Sequence, residues 1–271
     1  MCHINGGKTV NKVVMITGAV RNTGYAAAER FAKEGWNVVI TSRSDESAKE
    51  GALRLQRAYP HVKVLGMGMH QSNVKEIRSA FVHLKEAMGR LDAFIPNAAD
   101  LAVGYDVLNT TEEQWNEVMN TNISGTFFCC QEAAKLMIEN GGGAITMVSS
   151  VHANQSIPGR VAYSASKAAI NAIARCMAIE LGNRGVRVNS LLAGAIWTQR
   201  WANQSKEVTQ RRRNQYPVGK ESSPKDIANA LYFLCSDQSK TITGTEMTVD
   251  SGISICLLPY NKYWNETQGS K

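Results

Sequence analysis

Tyr163 and Lys167 stand four residues apart in the run Tyr163-Ser164-Ala165-Ser166-Lys167. On an α-helix that spacing puts both side chains on one face, with Cβ atoms about 5–6 Å apart. A free tyrosine titrates near pH 10. To exchange a proton near neutrality it must become more acidic by about three units, or roughly 4 kcal/mol at ~1.36 kcal/mol per unit. A neighbouring ammonium favours the phenolate and supplies part of that shift. Ser150 closes the preceding apolar run, where a positioned hydroxyl can support a developing oxyanion. Asn122 lies inside an earlier long helical stretch. A Tyr-x-x-x-Lys pair also occurs as an ordinary surface pair on an amphipathic helix, so the pair alone decides nothing.

A second set of residues could hold phosphates. Thr17-Gly18-Ala19-Val20-Arg21-Asn22-Thr23-Gly24 separates an apolar run from a helical stretch. A glycine turn there lets the backbone approach a pyrophosphate, and the following helix N-terminus offers free N–H groups and partial positive charge. Gly18, Arg21, Asn22, Thr23 and Gly24 are the candidates, although such turns also occur with no ligand. The next apolar run ends Ile40-Thr41-Ser42-Arg43. A site for NAD(H) usually places a carboxylate at that strand end, on the ribose 2′-OH. Ser42 and Arg43 suit a 2′-phosphate instead, because a guanidinium binds phosphate in a fork. Arg21 could add a second cation. NADP(H) is therefore the expected cofactor over NAD(H). The competing readings are that Arg43 is a solvated loop charge and that Asp45 contacts the ribose.

The elements that must position these residues alternate. Apolar runs at Lys12–Thr17, Val38–Ile40, Val62–Leu65, Leu91–Ile95, Ala144–Val148, Gly185–Leu191 and Glu246–Val249 read as strands, and unbroken runs suit a parallel sheet covered on both faces. Helical spacing marks about 24–34, 45–59, 73–88, 111–139 and 161–183, with a further helix starting near Pro224. Ser44 or Asp45 caps the second helix. The alternation predicts a single-domain, doubly wound parallel sheet of about seven strands. Its core spans 11–252, with a polar, Arg-rich interruption at 197–216 and a tail at 253–271.

Composition narrows the class. The chain has 271 residues, 44% hydrophobic and 20% charged, with a formal net charge of +7; this is ordinary globular usage. Arg211-Arg212-Arg213 is the only dense basic run. It lacks interleaved aromatics, so cofactor phosphates explain the charge better than nucleic acid does. No run of about 18 apolar residues predicts a membrane span, and Met1–Val10 lacks a signal peptide's apolar stretch; a cytoplasmic protein is expected. Six scattered cysteines form no C-x-x-C pair and read as reduced thiols. The five histidines have no metal-ligand spacing, so no metal is expected.

Thr17-Gly18 to Gly24, Asn97-Ala98-Ala99, Asn122, Ser150, Tyr163-x-x-x-Lys167 and Ala193-Gly194 follow the order and spacing of the classical short-chain dehydrogenase/reductase family. The chain resembles that family from about residue 11 to 252. The resemblance implies a Rossmann sheet and an oxidoreductase that moves a hydride between NADP(H) and a secondary alcohol or ketone, or a sugar lactol or lactone. It implies Tyr163 as general acid/base, Ser150 as the donor to the substrate oxygen, Lys167 as the group that acidifies Tyr163 and holds the nicotinamide ribose, and Asn122 as holder of a relay water. Asn97, Ala98, Gly194, Ile196 and Thr198 match cofactor-contacting positions. A homotetramer built through the helices at 111–139 and 161–183 is implied as well. Departures are Asn22 for the middle glycine, Pro96 and Ala99 in the family's N-N-A-G motif, Ala193 for proline, and His70-Gln71 where an acidic residue often meets the adenine.

The segment 197–216 reads as a mobile lid over the substrate or as a solvated basic helix face. His152 either touches substrate or is an ordinary loop residue. Ser149-Ser150-Val151-His152 resembles the glucose dehydrogenases of the family, while the general pattern also resembles 3-oxoacyl-thioester reductases and hydroxysteroid dehydrogenases. The alternative to an enzyme is a catalytically silent binding or regulatory protein on the same fold.

Overall fold

Val13-Val14-Met15-Ile16 is buried at every position, which only a strand covered on both faces requires. Val13 and Met15 join one apolar cluster and Val14 and Ile16 another, following the two-residue period of a strand. This computed structural model describes residues 4–5, 8–9, 11–201 and 203–257. Seven strands form its main sheet: β1 (Val13–Ile16), β2 (Asn37–Ser42), β3 (Val64–Gly68), β4 (Ala93–Ile95), β5 (Gly143–Ser150), β6 (Val186–Ala193) and β7 (Glu246–Val249). Their spatial order is β3-β2-β1-β4-β5-β6-β7, and every pairing is parallel. The doubly wound, Rossmann-like fold expected from the sequence is the fold observed.

Helices cover both faces. One face carries α1 (Asn22–Lys33), α2 (Asp45–Ala58) and α8 (Pro224–Cys235), packed on Val14, Ile16, Val38 and Ile40. The other carries α3 (Val74–Met88), α5 (Thr126–Glu139) and α6 (Val161–Leu181), packed on Met15, Val39, Phe94 and Ile145. The remaining helices are α4 (Glu112–Met119) and α7 (Lys206–Arg213). Local chemistry sets the starts. Ser44, not Asp45, caps α2 by accepting from Ser47 N. Asn73 caps α3, and Ser223 with Asp226 forms a capping box behind Pro224.

Two elements differ from their sequence reading. The third strand was expected at Val62–Leu65 and runs Val64–Gly68. Its glycines are there because α2 lies against it: a Cβ on Gly66 would sit 2.2 Å from the Ala48 carbonyl oxygen. Close helix packing overrides glycine's poor strand propensity. The stretch 111–139 is not one regular helix. A π-helical turn at Asn120–Gly125 separates α4 from α5, the kind of insertion common where a helix serves a site.

The chain leaves β3 at one edge, returns through α3 and adds β4 on the opposite side of β1. The C-terminal ends of β1 and β4 therefore flank the point where strand order reverses, which is where ligands bind in such sheets. Among the described residues no helix is long and apolar enough to cross a membrane, and no cluster of His, Cys, Asp or Glu could hold a metal ion.

Candidate active site

The glycine turn sits at the C-terminal end of β1. Gly18 has φ +63° and Asn22 φ +50°, so asparagine fills a left-handed position that few side chains tolerate. Gly24 has no room for a side chain; a Cβ would lie 2.6 Å from the Gly18 carbonyl oxygen and 2.8 Å from Asn97 Nδ2. Asn97 braces the turn from the end of β4: its Nδ2 donates to the carbonyls of Thr17 (3.0 Å) and Gly18 (3.2 Å). The Thr17 hydroxyl accepts from the backbone N–H of Asn97 and of Ala98. Arg21 is exposed at the mouth of the turn and Thr23 is buried beneath it.

Ser42 ends β2 half-buried, and Arg43 follows fully exposed. Among the described residues neither Arg21 nor Arg43 has an ion-pair partner. Asp45, the competing candidate for a ribose contact, accepts from Gly68 N at 2.9 Å and pairs with Lys49. The Lys49 bond first and the Gly68 bond second hold its pKa below the ordinary value. His70 is exposed. Gln71 is buried, and its Nε2 donates to the carbonyls of Ala98 and Thr121 and the hydroxyl of Thr126, tying the β3 end to the π turn, while its Oε1 is buried without a partner.

Tyr163 and Lys167 lie side by side on α6, and Ser150 ends β5 with its partners on β6 and in the turn that follows. Ser150 is 5% exposed; its hydroxyl donates to the Ala193 carbonyl at 3.3 Å and accepts from His152 N at 3.2 Å. Lys167 is buried, with Nζ donating to the Val148 carbonyl at 2.7 Å and lying 5.5 Å from the Tyr163 ring centroid. Burial pulls the Lys167 pKa down to about 8. The face of α6 that carries Lys167 is buried through the small residues Ala162, Ser166 and Ala174.

The π turn turns Asn122 inward, fully buried. Its Nδ2 donates to the Asp100 carbonyl (2.9 Å) and the Ser166 hydroxyl (3.0 Å), and its Oδ1 accepts from Asp100 N (2.7 Å). Ser166 in turn donates to the Tyr163 carbonyl. Gly125 permits this, because a Cβ there would meet the Gln71 carbonyl at 2.0 Å. Gly194 likewise has no space for a Cβ, which would lie 2.5 Å from the Asp250 Cβ. Ile196 bridges to Ser222. The Thr198 hydroxyl is buried with no partner.

Many of the residues singled out from sequence thus stand at or just beyond the C-terminal ends of the sheet strands, among them Gly18, Ser42, Arg43, His70, Asn97, Ser150 and Gly194. Ser166 and Arg160 were missed, yet both share the Tyr163 face at helical spacing, three residues after and three before it. Glu221 was missed because nothing in its sequence neighbourhood marks it. It is 3% exposed and accepts from Arg212 and Arg213, anchoring 197–216 to the body of the fold. Burial raises its pKa, but backbone bonding and the two arginines outweigh that and hold it below the ordinary value. Arg212 also stacks on Trp201, 4.0 Å from the ring centroid. Two of the three arginines are therefore tethered, and no residue of α7 is buried.

A family model described as enoyl-(acyl carrier protein) reductase matches residues 18–254. The chain belongs to the short-chain dehydrogenase/reductase family. The 3-oxoacyl-(acyl-carrier-protein) reductase FabG of Aquifex aeolicus (strain VF5) is 34% identical over 246 residues, covering 91% of this chain and 98% of the relative. A 3alpha-hydroxysteroid dehydrogenase of Mediterraneibacter gnavus is 31% identical over 240 residues, covering 89% and 96%. The crystal structure of levodione reductase superposes with a TM-score of 0.84 at 25% identity, covering 90% of this chain and 98% of its own. Members are oxidoreductases that use a nicotinamide cofactor, and this chain is one. The crevice fits such a group: a turn whose Gly24 leaves no room for a Cβ, exposed unpaired arginines at its mouth, and an orphaned Thr198 hydroxyl within.

Proposed function

We propose that the protein interconverts a secondary alcohol and a ketone, or a sugar lactol and lactone, with NADP(H), and that Tyr163 is the acid/base. The juxtaposition of the Tyr163 ring with the buried Lys167 ammonium, beside Ser150, carries this reading. The cofactor, when bound, supplies or accepts the hydride. The chain's own residues handle the proton and the oxygen. Tyr163 donates its phenolic proton to the carbonyl oxygen in reduction and takes it back in oxidation. Ser150 supports the same oxygen as a fixed donor. Lys167 favours the phenolate and holds the nicotinamide ribose. The Asn122 side chain is committed to Asp100 and Ser166, so its part in the relay is to fix the π turn beside Tyr163 through Ser166.

Gly18, Arg21, Asn22, Thr23 and Gly24 hold the pyrophosphate, braced by Asn97 and Ala98. Gly194, Ile196 and Thr198 line the nicotinamide side. NADP(H) is preferred over NAD(H) because Arg43, Ser42 and Arg21 stand where a 2′-phosphate would be read, and Asp45 is already spent. Segment 197–216 covers the substrate as a lid hinged on the Glu221 ion pairs. Exposed Trp115 and Ile179 on the outer helix faces suit a cytoplasmic homotetramer, which sedimentation velocity would test.

The deciding experiment uses Tyr163→Phe. Turnover of a panel of sugars, steroids, acyl thioesters and small ketones should be lost while NADPH binding persists. Undiminished turnover would remove Tyr163 from the mechanism.

A further inference from the structure

We propose that Arg160 selects substrates bearing a carboxylate-class anion on a hydrocarbon body, near the oxygen that Tyr163 serves; this rests on the acid/base reading above. Arg160 is the N-cap of α6, three residues ahead of Tyr163 and on its face. Its guanidinium carbon lies 5.8 Å from the Tyr163 ring centroid. Lys167 is at a similar distance from that ring, but it is buried and bound to Val148. Arg160 is therefore the cation beside Tyr163 that a substrate can reach.

Its valence is incomplete. A guanidinium has about five N–H donors; one is given to the Leu101 carbonyl, and no carboxylate among the described residues pairs with it. A half-buried cation without a counter-ion is costly, and a substrate anion would supply the missing charge in a bidentate fork. The helix start adds to the field, since α6 has no side-chain cap on its first N–H groups. The apolar surroundings match a hydrocarbon body: Leu101, Val103 and Ile157 are exposed on the two loops that meet beside Arg160.

His152 sharpens the charge pattern. Its ring packs edge-on to Tyr163 with centroids 5.7 Å apart. Burial first, and the Arg160 charge with it, push its pKa below the ordinary value against a backbone bond to Gln155. Its Nδ1 is buried with no partner, and with Lys167 buried and bound to Val148, Arg160 is the cation beside Tyr163, among the described residues, left for an anion.

The test uses 3-oxobutanoate, 4-oxopentanoate and 5-oxohexanoate, each beside its methyl ester, so that three spacings between anion and carbonyl are sampled. The wild-type protein should favour at least one acid over its ester in kcat/KM. Arg160→Gln should lower that acid-to-ester ratio about ten- to hundredfold, mainly through KM, and Arg160→Lys should restore part of it. A structural role, exerted through Leu101 and Tyr105, would lower acid and ester together and leave the ratio unchanged; that result overturns the proposal. Calorimetry with the corresponding hydroxy acids and their esters separates the two readings. Arg160-dependent binding of the acid without turnover would sink the acid/base assignment and keep the anion site. Turnover with no charge preference for any pair would do the reverse.

Discussion

The two ends of the crevice are built differently. At the reacting end Ser150, Asn122 and Lys167 are buried, and each is hydrogen-bonded to main chain or to a buried hydroxyl. At the phosphate end Arg21 and Arg43 are exposed and unpaired, and only the turn beneath them is held rigidly. Rigid placement serves proton transfer, where a small displacement is costly. A phosphate needs charge more than exact placement, and a flexible guanidinium supplies it. Substitutions at the reacting end should therefore mix stability with activity. Those at the arginines should change cofactor affinity alone.

The largest effect is expected in the turn beneath the arginines, the rigid part of the phosphate end. Gly24→Val puts a branched side chain against the Gly18 carbonyl and Asn97, where even a Cβ is too close. Either the turn opens or α1 moves; stability should fall by several kcal/mol, on the order of 3, and cofactor binding should vanish. Thermal unfolding with and without NADPH would measure both, and a normally stable, cofactor-binding Gly24→Val protein would show that the turn is not held as tightly as its packing implies.

Next in size is Lys167→Met. Moving the ammonium from its ordinary 10.5 to about 8 corresponds to roughly 3 kcal/mol at ~1.36 kcal/mol per unit. The sign follows from proton uptake. Between about pH 8 and 10.5 the unfolded chain binds more protons at this lysine than the folded one, so stability rises with pH in that window. Below pH 8 the burial cost is present in full. The variant should lose turnover yet be more stable than wild type at pH 7, with the advantage shrinking toward pH 10. Denaturant unfolding at several pH values checks this; parallel wild-type and variant curves would show that the buried ammonium carries no such cost.

Sequence made the architecture legible because alternation of apolar runs with helical spacing is a local signal, and the shared helix face of Tyr163 and Lys167 was legible for the same reason. It erred where contacts between distant segments decide. The apolar run of the third strand ends at Leu65, and α2 lying against Gly66 and Gly68 explains why the strand runs on through them. The π turn at Asn120–Gly125 depends on Asp100, Gln71 and Ser166, none adjacent in the chain. The Arg212 and Arg213 pairing with Glu221 left no trace in a run that reads equally well as a solvated face.

The arginine end is probed by Arg43→Ala. NADP(H) affinity should fall about tenfold or more, the worth of a charge-assisted phosphate contact, while NAD(H) affinity and the melting temperature hold. Titrations of both cofactors decide it, and equal losses for the two would make Arg43 a solvated loop charge.

The smallest expected effect lies at Asn22, in the turn beside Arg21. Its φ of +50° costs a non-glycine side chain about 1–2 kcal/mol, which asparagine partly escapes. Asn22→Ala should therefore destabilise by about 1 kcal/mol, whereas Asn22→Gly should cost nothing in the folded state and little overall, because glycine's freedom in the unfolded chain offsets its ease in the turn. NADPH affinity should follow the same order, since the backbone N–H groups of this turn are what a pyrophosphate would meet. If alanine and glycine behaved alike in unfolding and in cofactor titration, the left-handed turn would be a feature the chain can give up, and the phosphate end would be looser than its brace from Asn97 implies.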